Sequence, residues 1–368
     1  MNQKKIVTYF LLISIVILSP LPLLNLYFIY NNNLDSNNIT KKQLFTTDLT
    51  EGNINYFLYK NYNTSISHKK AVVGKDGYLF LGNAYSRVID KTNGKFNYND
   101  TDTDIDDWTT KLKKLQNIYE EQGIEFILVI APNKHSIYSD KLPDNVKYAK
   151  GKTITDTTMK YALKKHIHML NLKEDLLKVK NRYPLYFRTD THWNNFGAAI
   201  GFEETMEFLN ITYNKRYTVP IYRTKKISAM PGDLSKFLKI DKILGKYYED
   251  NFQISTNQKN KICCGNIDDK HILKKCCKLD SNTEIDVNKG DKYTINKYAL
   301  NKKKLLLICD SFAEKNSLLY NITFETIWRF HYNHLNGSDL DKFVNKNKPD
   351  IIIYQIVERD LVNDKIAK

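Results

Sequence analysis

From Ile6 to Tyr30 the chain carries no charged residue, and Lys4 and Lys5 stand immediately before that run. As one helix these 25 residues would reach roughly 37 Å, more than the ~30 Å hydrocarbon core of a bilayer. Pro20 and Pro22 lie inside the run and predict a kink or a stop there. The following segment, Asn31 to Asn38, has no Lys or Arg. The positive charge therefore lies on the amino-terminal side, which predicts a cytoplasmic N-terminus and a chain that continues outside. No small-x-small cleavage pattern precedes Asn31, so residues 1–30 read as an uncleaved membrane anchor rather than a signal peptide.

Residues 31–70 are polar, Asn-rich and weakly periodic, and read as a tether. A domain over residues 71–368 follows. Val73-Gly74-Lys75-Asp76-Gly77-Tyr78-Leu79-Phe80-Leu81 places a glycine-containing turn between apolar stretches, as in a hairpin. Ile105, Trp108, Leu112, Leu115 and Ile118 fall on one face of a helix over Thr103–Glu121, which Gly123 ends. Phe126–Ile130 is a wholly apolar strand that leads into Ala131-Pro132. Helices over Thr155–Lys165, Leu172–Lys180 and Asn195–Leu209 alternate with short extended segments at Ile167–Leu170 and Tyr186–Arg188. Apolar strands recur at Lys304–Ile308 and Ile351–Ile356. That alternation predicts an α/β sandwich with a mostly parallel sheet. Residues from about 220 to 302 break the pattern and read as an irregular insertion rich in Lys and Cys.

The formal charge of +15 excludes little by itself. No finger spacing, RNP-like run or helix-turn-helix accompanies it, so a nucleic-acid partner is not expected. A solvated Lys-rich surface or attraction to an anionic envelope accounts for the charge. Cys263, Cys264, Cys276 and Cys277 form two adjacent pairs. Neighbouring cysteines rarely bridge each other, but bridges between the pairs suit an oxidising compartment. A zinc site is the alternative, without the usual two-residue ligand spacing. No metal or cofactor is expected.

In open α/β sheets reactive groups gather at the carboxyl ends of strands. The strand Leu305–Ile308 runs directly into Cys309-Asp310-Ser311-Phe312. A serine on a sharp turn after a buried strand is presented as a nucleophile needs to be, with backbone N–H groups nearby. The same Asp-Ser pair also reads as a helix cap. Leu185–Arg188 runs into Thr189-Asp190-Thr191-His192-Trp193. Asp190 can orient His192 for a hydroxyl, although an Asp-x-His pair is also common on plain surfaces. These residues leave both readings open.

The motifs together are more specific than any one alone. Gly74–Phe80, Pro132-Asn133-Lys134 with Ile137-Tyr138, Asp190-Thr191-His192-Trp193 with Gly197-Ala198, Asp310-Ser311-Phe312 and Glu358-Arg359 occur in the order found in the AlgJ/AlgX family of alginate O-acetyltransferases. The chain resembles that family over most of residues 74–361, and resembles its anchored AlgJ type more than the soluble AlgX type. The resemblance implies an SGNH-hydrolase-like three-layer sandwich with permuted motif order, Asp and His preceding Ser. It implies Ser311 as nucleophile, His192 as general base and Asp190 as its orienting partner, with Lys134, Tyr138 and Arg359 as pocket residues. It further implies O-acetylation of an exported or cell-surface polysaccharide, with a membrane-bound O-acyltransferase partner delivering acetyl groups. A carbohydrate esterase and a non-catalytic polysaccharide-binding protein are the alternatives. Cys309 departs from the family, which has Gly there; a Gly needed for positive φ would make this substitution disruptive.

Overall fold

The computed structural model describes residues 3–31, 40–95, 102–246, 248–265, 275–277, 291–335 and 337–362. The apolar run forms two helices, α1 (Gln3–Leu18) and α2 (Pro20–Asn31), broken at Ser19. Pro20 opens the second helix, the position at which a proline's missing N–H costs nothing. Val7–Asn31 is long and apolar enough to cross a bilayer.

The expected tether is a packed layer over part of its length. Residues 40–62 form α3 (Lys41–Phe45) and α4 (Thr47–Tyr62), started by caps at Thr40 and Thr46. Gly52, Asn55 and Tyr59 face the body: Asn55 Nδ2 donates to Leu238 O (3.0 Å) and the Tyr59 hydroxyl to Gly77 O (3.0 Å). A Cβ on Gly52 would stand 2.3 Å from Lys239 O. This contact face is a glycine, an amide and one tyrosine rather than a run of aliphatic residues, which is why hydrophobic periodicity missed it.

β1 (Ala71–Val73) and β2 (Leu79–Leu81) make the expected hairpin, with Gly77 at φ +75° in its turn. β3 (Glu125–Ala131) and β4 (Met169–Asn171) follow, then β5 (Tyr222–Ala229) and β6 (Glu249–Thr256), which pair antiparallel with each other. β7 (Ile262–Gly265), β8 (Lys275–Cys277), β9 (Lys292–Asn296), β10 (Asn301–Cys309), β11 (Phe324–His331) and β12 (Ile351–Val357) complete the strands. The main sheet runs β4-β3-β12-β10-β11-β9-β7-β8. Its first five strands are parallel and the last three antiparallel.

Alternation along the strands divides the core into two layers. Ile127, Val129, Leu305, Leu307, Ile351 and Ile353 pack under the Asn195–Thr212 helix, whose Ala198, Phe202 and Met206 face them. Phe126, Leu128, Ile130, Leu306, Ile308 and Ile352 pack under the Asp102–Glu121 helix through Ile105, Trp108 and Leu112. The result is an α/β sandwich, as the alternating pattern predicts, in the three-layer form that the family resemblance implies.

The expected insertion over residues 220–302 is in part core. β7 and β9 extend the main sheet, and a short helix, Asp233–Phe237, buries Leu234 beside the β1–β2 hairpin. The exposed Lys225 and Lys226 of β5 and the cysteine pair Cys263–Cys264 in β7 hid the strand pattern there. Cys263 is disulfide-bonded, and Cys276 lies opposite it in the β7–β8 register. The side chains of Cys276 and Cys277 lie outside the described residues.

Candidate active site

Ser311 follows β10 at the carboxyl end of the parallel strands and opens a short 3₁₀ turn, Ser311–Glu314. Asp310 is the cap of that turn. Its Oδ1 accepts the Phe312 N–H (2.8 Å), and its Oδ2 accepts the Val357 N–H at the end of β12 (2.6 Å). Asp310 therefore locks the serine turn between two central strands. Burial raises the Asp310 carboxyl to about 6, despite the Arg359 charge and the two N–H bonds.

Cys309 sits inside β10, in register with His331, and is not among the residues with positive φ. No left-handed conformation is needed at this position, so a side chain is tolerated there. Burial pushes its thiol up to about 12, so it remains an unionised packing group.

Asp190 and His192 do not end a sheet strand. The expected strand at Tyr186–Arg188 is reduced to a single antiparallel bridge between Tyr186 and Trp193. The segment between them is a turn, and it brings the pair together. His192 Nδ1 lies 2.6 Å from Asp190 Oδ1, and Asp190 Oδ1 also accepts the His192 backbone N–H (2.9 Å). His192 Nε2 lies 2.8 Å from Ser311 Oγ. All three side chains meet in one hydrogen-bonded line. Trp193 ties its two sources together by donating Nε1–H to Phe312 O (2.8 Å).

Burial opposes a charged imidazole, but the Asp190 hydrogen bond and charge outweigh it and hold His192 above its ordinary value. Burial likewise opposes the Asp190 carboxylate, and the His192 contacts outweigh it, so Asp190 stays ionised well below the usual carboxylate range. A carboxylate that orients Nδ1–H leaves Nε2 as the proton acceptor toward the serine, the arrangement of a nucleophile and its general base.

Lys134 and Tyr138 are not open to a substrate as expected of pocket residues. Lys134 is buried, and its ammonium donates to three carbonyls: Phe187 (3.0 Å), Arg188 (3.0 Å) and Asp190 (2.6 Å). Those three bonds use all of its donors. Burial lowers it to about 8, offset in part by Glu249, Asp190 and Asp233. The Tyr138 hydroxyl accepts the Leu185 N–H (3.0 Å), and its ring packs on Tyr78. Both residues fasten the loop that carries the histidine. Arg359 does reach the site: its guanidinium lies over the Phe312 ring at 5.4 Å and donates to Asn133 Oδ1 (3.2 Å).

Two carboxylates that sequence reasoning missed complete the loop. Glu249, buried at the start of β6, accepts the N–H groups of Arg188 (2.7 Å) and Thr189 (2.6 Å) and the Thr189 hydroxyl. Asp233 donates its N–H to Asp190 Oδ2 (3.1 Å). Its own carboxylate accepts the Thr191 N–H (2.8 Å) and hydroxyl (2.5 Å) and approaches His192 Nδ1 to 4.0 Å. Burial and the Asp190 charge raise the Asp233 carboxyl. Both residues lie within the irregular stretch of about 220–302. The one local signal was Pro231-Gly232-Asp233, a turn followed by a helix start. Gly232 is required there, since a Cβ would fall 2.2 Å from Asp190 Cβ. Asp190, His192 and Asp233 lie close enough to share a cation, and the same atoms are engaged in the hydrogen bonds just described.

A serine–histidine–carboxylate line on a three-layer α/β sandwich recurs in several hydrolase classes, the SGNH-hydrolase-like class among them. A family model described as "SGNH hydrolase-like domain, acetyltransferase AlgX" matches residues 71–263, and the chain belongs to that family. The match includes Asp190 and His192 and stops short of Ser311. A probable alginate O-acetylase AlgJ of Pseudomonas syringae pv. tomato is 24% identical over 172 residues, 46% of this chain and 41% of that protein. Its namesake of Pseudomonas aeruginosa is 23% identical over 174 residues. The matched stretch thus spans about two fifths of these relatives' length (41%). The fold is similar to the O-acetyltransferase domain of Pseudomonas putida AlgJ, with TM-score 0.53 and 14% identity over 79% of this chain and 92% of that one. It is also similar to Bacillus cereus PatB1, with TM-score 0.56 and 16% identity over 80% and 97% of the respective chains.

Proposed function

We propose that this protein is an O-acetyltransferase that modifies an exported or cell-surface polysaccharide through an acetyl-serine intermediate. The observation that carries the reading is the continuous line Ser311 Oγ–His192 Nε2 (2.8 Å) and His192 Nδ1–Asp190 Oδ1 (2.6 Å). The likeness to AlgJ and AlgX proteins supports the acetyl group and the polysaccharide class.

In the first half-reaction Ser311 Oγ attacks the donor's acetyl carbon while His192 Nε2 takes the hydroxyl proton. The Ser311 N–H, at the start of the turn, donates to the oxyanion. Collapse expels the donor's leaving group, which receives the proton from His192. In the second half-reaction His192 takes the proton of a sugar hydroxyl as its oxygen attacks the acetyl-serine. The sugar ester leaves, and the proton returns to Ser311. Asp190 stays ionised and stabilises the imidazolium in both halves. α1 and α2 serve as a single anchor with a cytoplasmic N-terminus, so the body works outside the membrane, and a membrane-bound O-acyltransferase supplies the acetyl group.

The test is acetyl transfer from an activated acetyl ester to oligosaccharide by the purified full chain. The reading requires labelled sugar ester that disappears in Ser311→Ala; equal release of acetate with and without oligosaccharide would favour an esterase instead.

A further inference from the structure

Asn25 is an amide within the apolar run, and it is buried. Its Nδ2 shares two hydrogens among the carbonyls of Leu44 (2.7 Å), Thr46 (2.8 Å) and, more distantly, Gln43 (3.1 Å), and its Oδ1 accepts from the Thr50 hydroxyl (3.0 Å). The C-terminal half of α2 is therefore clamped by α3 and the start of α4. That partner carries Lys41, Lys42, Asp48 and Glu51, which a hydrocarbon core does not accept. The edge of the hydrocarbon consequently falls near Asn25. Val7 to Leu24 then span about 27 Å, close to the ~30 Å that must be crossed.

α4 has two opposite faces. Gly52, Asn55 and Tyr59 turn to the body. Thr50, Ile54 and Phe57, at positions i, i+4 and i+7, share a stripe on the other side. That stripe begins at the α2 clamp and continues as exposed apolar side chains, with Phe57 56% exposed and its ring 5.7 Å from that of Tyr62. Tyr27 and Tyr30, in the turn and a half of α2 that follows Asn25, and Phe45 at the end of α3 are also exposed. The two acidic groups of α4, Asp48 and Glu51, pair with Lys239 on the body instead.

We propose that Tyr27, Tyr30, Phe45, Ile54 and Phe57 form a seat in the headgroup region of the lipid bilayer, so that the catalytic body rests on the membrane at a fixed height. Tyr27 and Tyr30 suit that depth, where an apolar ring and a polar tip are both satisfied, and Phe45, Ile54 and Phe57 supply the apolar face that an interfacial helix sinks into the headgroup–acyl boundary. The occupant is lipid because Tyr27 and Tyr30 lie on the span's own helix, just past Asn25, and the α4 stripe starts at Thr50, which is bonded to Asn25 where the hydrocarbon ends. The seat also connects to the relay. α4 meets Leu238 and Lys239 just past the Asp233–Phe237 helix, and the first residue of that helix holds Asp190. The inference rests on the anchor reading given above.

The test uses the full chain in phosphatidylcholine–phosphatidylglycerol vesicles with bromine on the acyl chains near the headgroup. Trp108, Trp193 and Trp328 are buried in the body and give a steady background. A tryptophan introduced as Phe57→Trp or Ile54→Trp is expected to lose roughly half or more of its added emission to the bromine. One introduced as Leu163→Trp, exposed on another helix, should lose none. Unquenched emission at both seat positions, in chain that floats with the vesicles, overturns the seat. Blue-shifted but unquenched emission overturns it in favour of a protein partner or a second copy. A chain that fails to float overturns the anchor itself, and the seat with it.

Discussion

Ser311 and His192 lie 2.8 Å apart, yet the chain reaches them in two different ways. The serine arrives on β10, a strand with parallel neighbours on both sides, and one carboxylate, Asp310, fixes its turn. The histidine arrives on a turn with a single bridge. Lys134, Glu249 and Asp233, from three separate parts of the chain, supply the hydrogen bonds that a sheet would have supplied. The comparison separates what reacts from what positions. On the serine side the secondary structure itself is the scaffold. On the histidine side the scaffold is a set of charged side chains, the buried Lys134 and Glu249 and the half-buried Asp233, and it is correspondingly easier to damage.

Removing Ser311 tests the first half of that contrast and carries the largest effect on chemistry. Ser311→Ala should reduce acetyl transfer by roughly 10⁴-fold or more, with the thermal unfolding midpoint nearly unchanged, as activity assays and calorimetry on the same preparation would read.

Lys134→Met tests the second half and should reverse the pattern. Three loop carbonyls lose their donor, and Asp190 and Glu249 lose a buried counter-charge, at a cost of roughly 3–5 kcal/mol. Denaturant unfolding should register that loss, and a small change in stability would mean the loop is held by something else.

Asp190→Asn sharpens the comparison through pH. Only neutral His192 accepts the serine proton, so activity rises as pH passes upward through the His192 value. Asp190 raises that value, which places the rising limb above the ordinary imidazole value of about 6.5. The variant should lose roughly 10²–10⁴-fold in rate, and its rising limb should move to lower pH. Asp233→Asn should move the limb in the same direction by less and cost on the order of 10-fold, because Asp233 reaches the ring at 4.0 Å and acts mainly through Thr191 and Asp190. An unmoved limb in both variants would show that neither carboxylate acts on the imidazole.

Cys309→Gly is the smallest expected change. Loss of a buried side chain and added backbone freedom should lower stability by about 1–2 kcal/mol, with the rate within a few-fold of the parent.

The same contrast explains which parts were legible in the sequence. Phe126–Ile130, Lys304–Ile308 and Ile351–Ile356 were visible as strands because burial on both faces demands unbroken apolar runs. Ser311 was visible because it ends one of them. The Asp190–His192 pair was visible as a motif, but its support was not. Glu249 and Asp233 lie about 60 and 40 residues away along the chain (hydrogen-bond separations of 60 and 43), and buried charges that hold a loop leave no periodic trace. Lys134 and Tyr138 were found by resemblance and given a substrate role, whereas burial and hydrogen bonding give them a supporting one. α4 escaped notice for a related reason: it docks through Gly52, Asn55 and Tyr59, and its apolar stripe faces away from the body.

The most direct test of the relay is peptide mass mapping of the full chain after brief exposure to an activated acetyl ester. The account predicts an acetyl group on Ser311 that is discharged by added oligosaccharide and that fails to form in His192→Ala. Acetylation at another residue, or on Ser311 at an unchanged rate without His192, would contradict it.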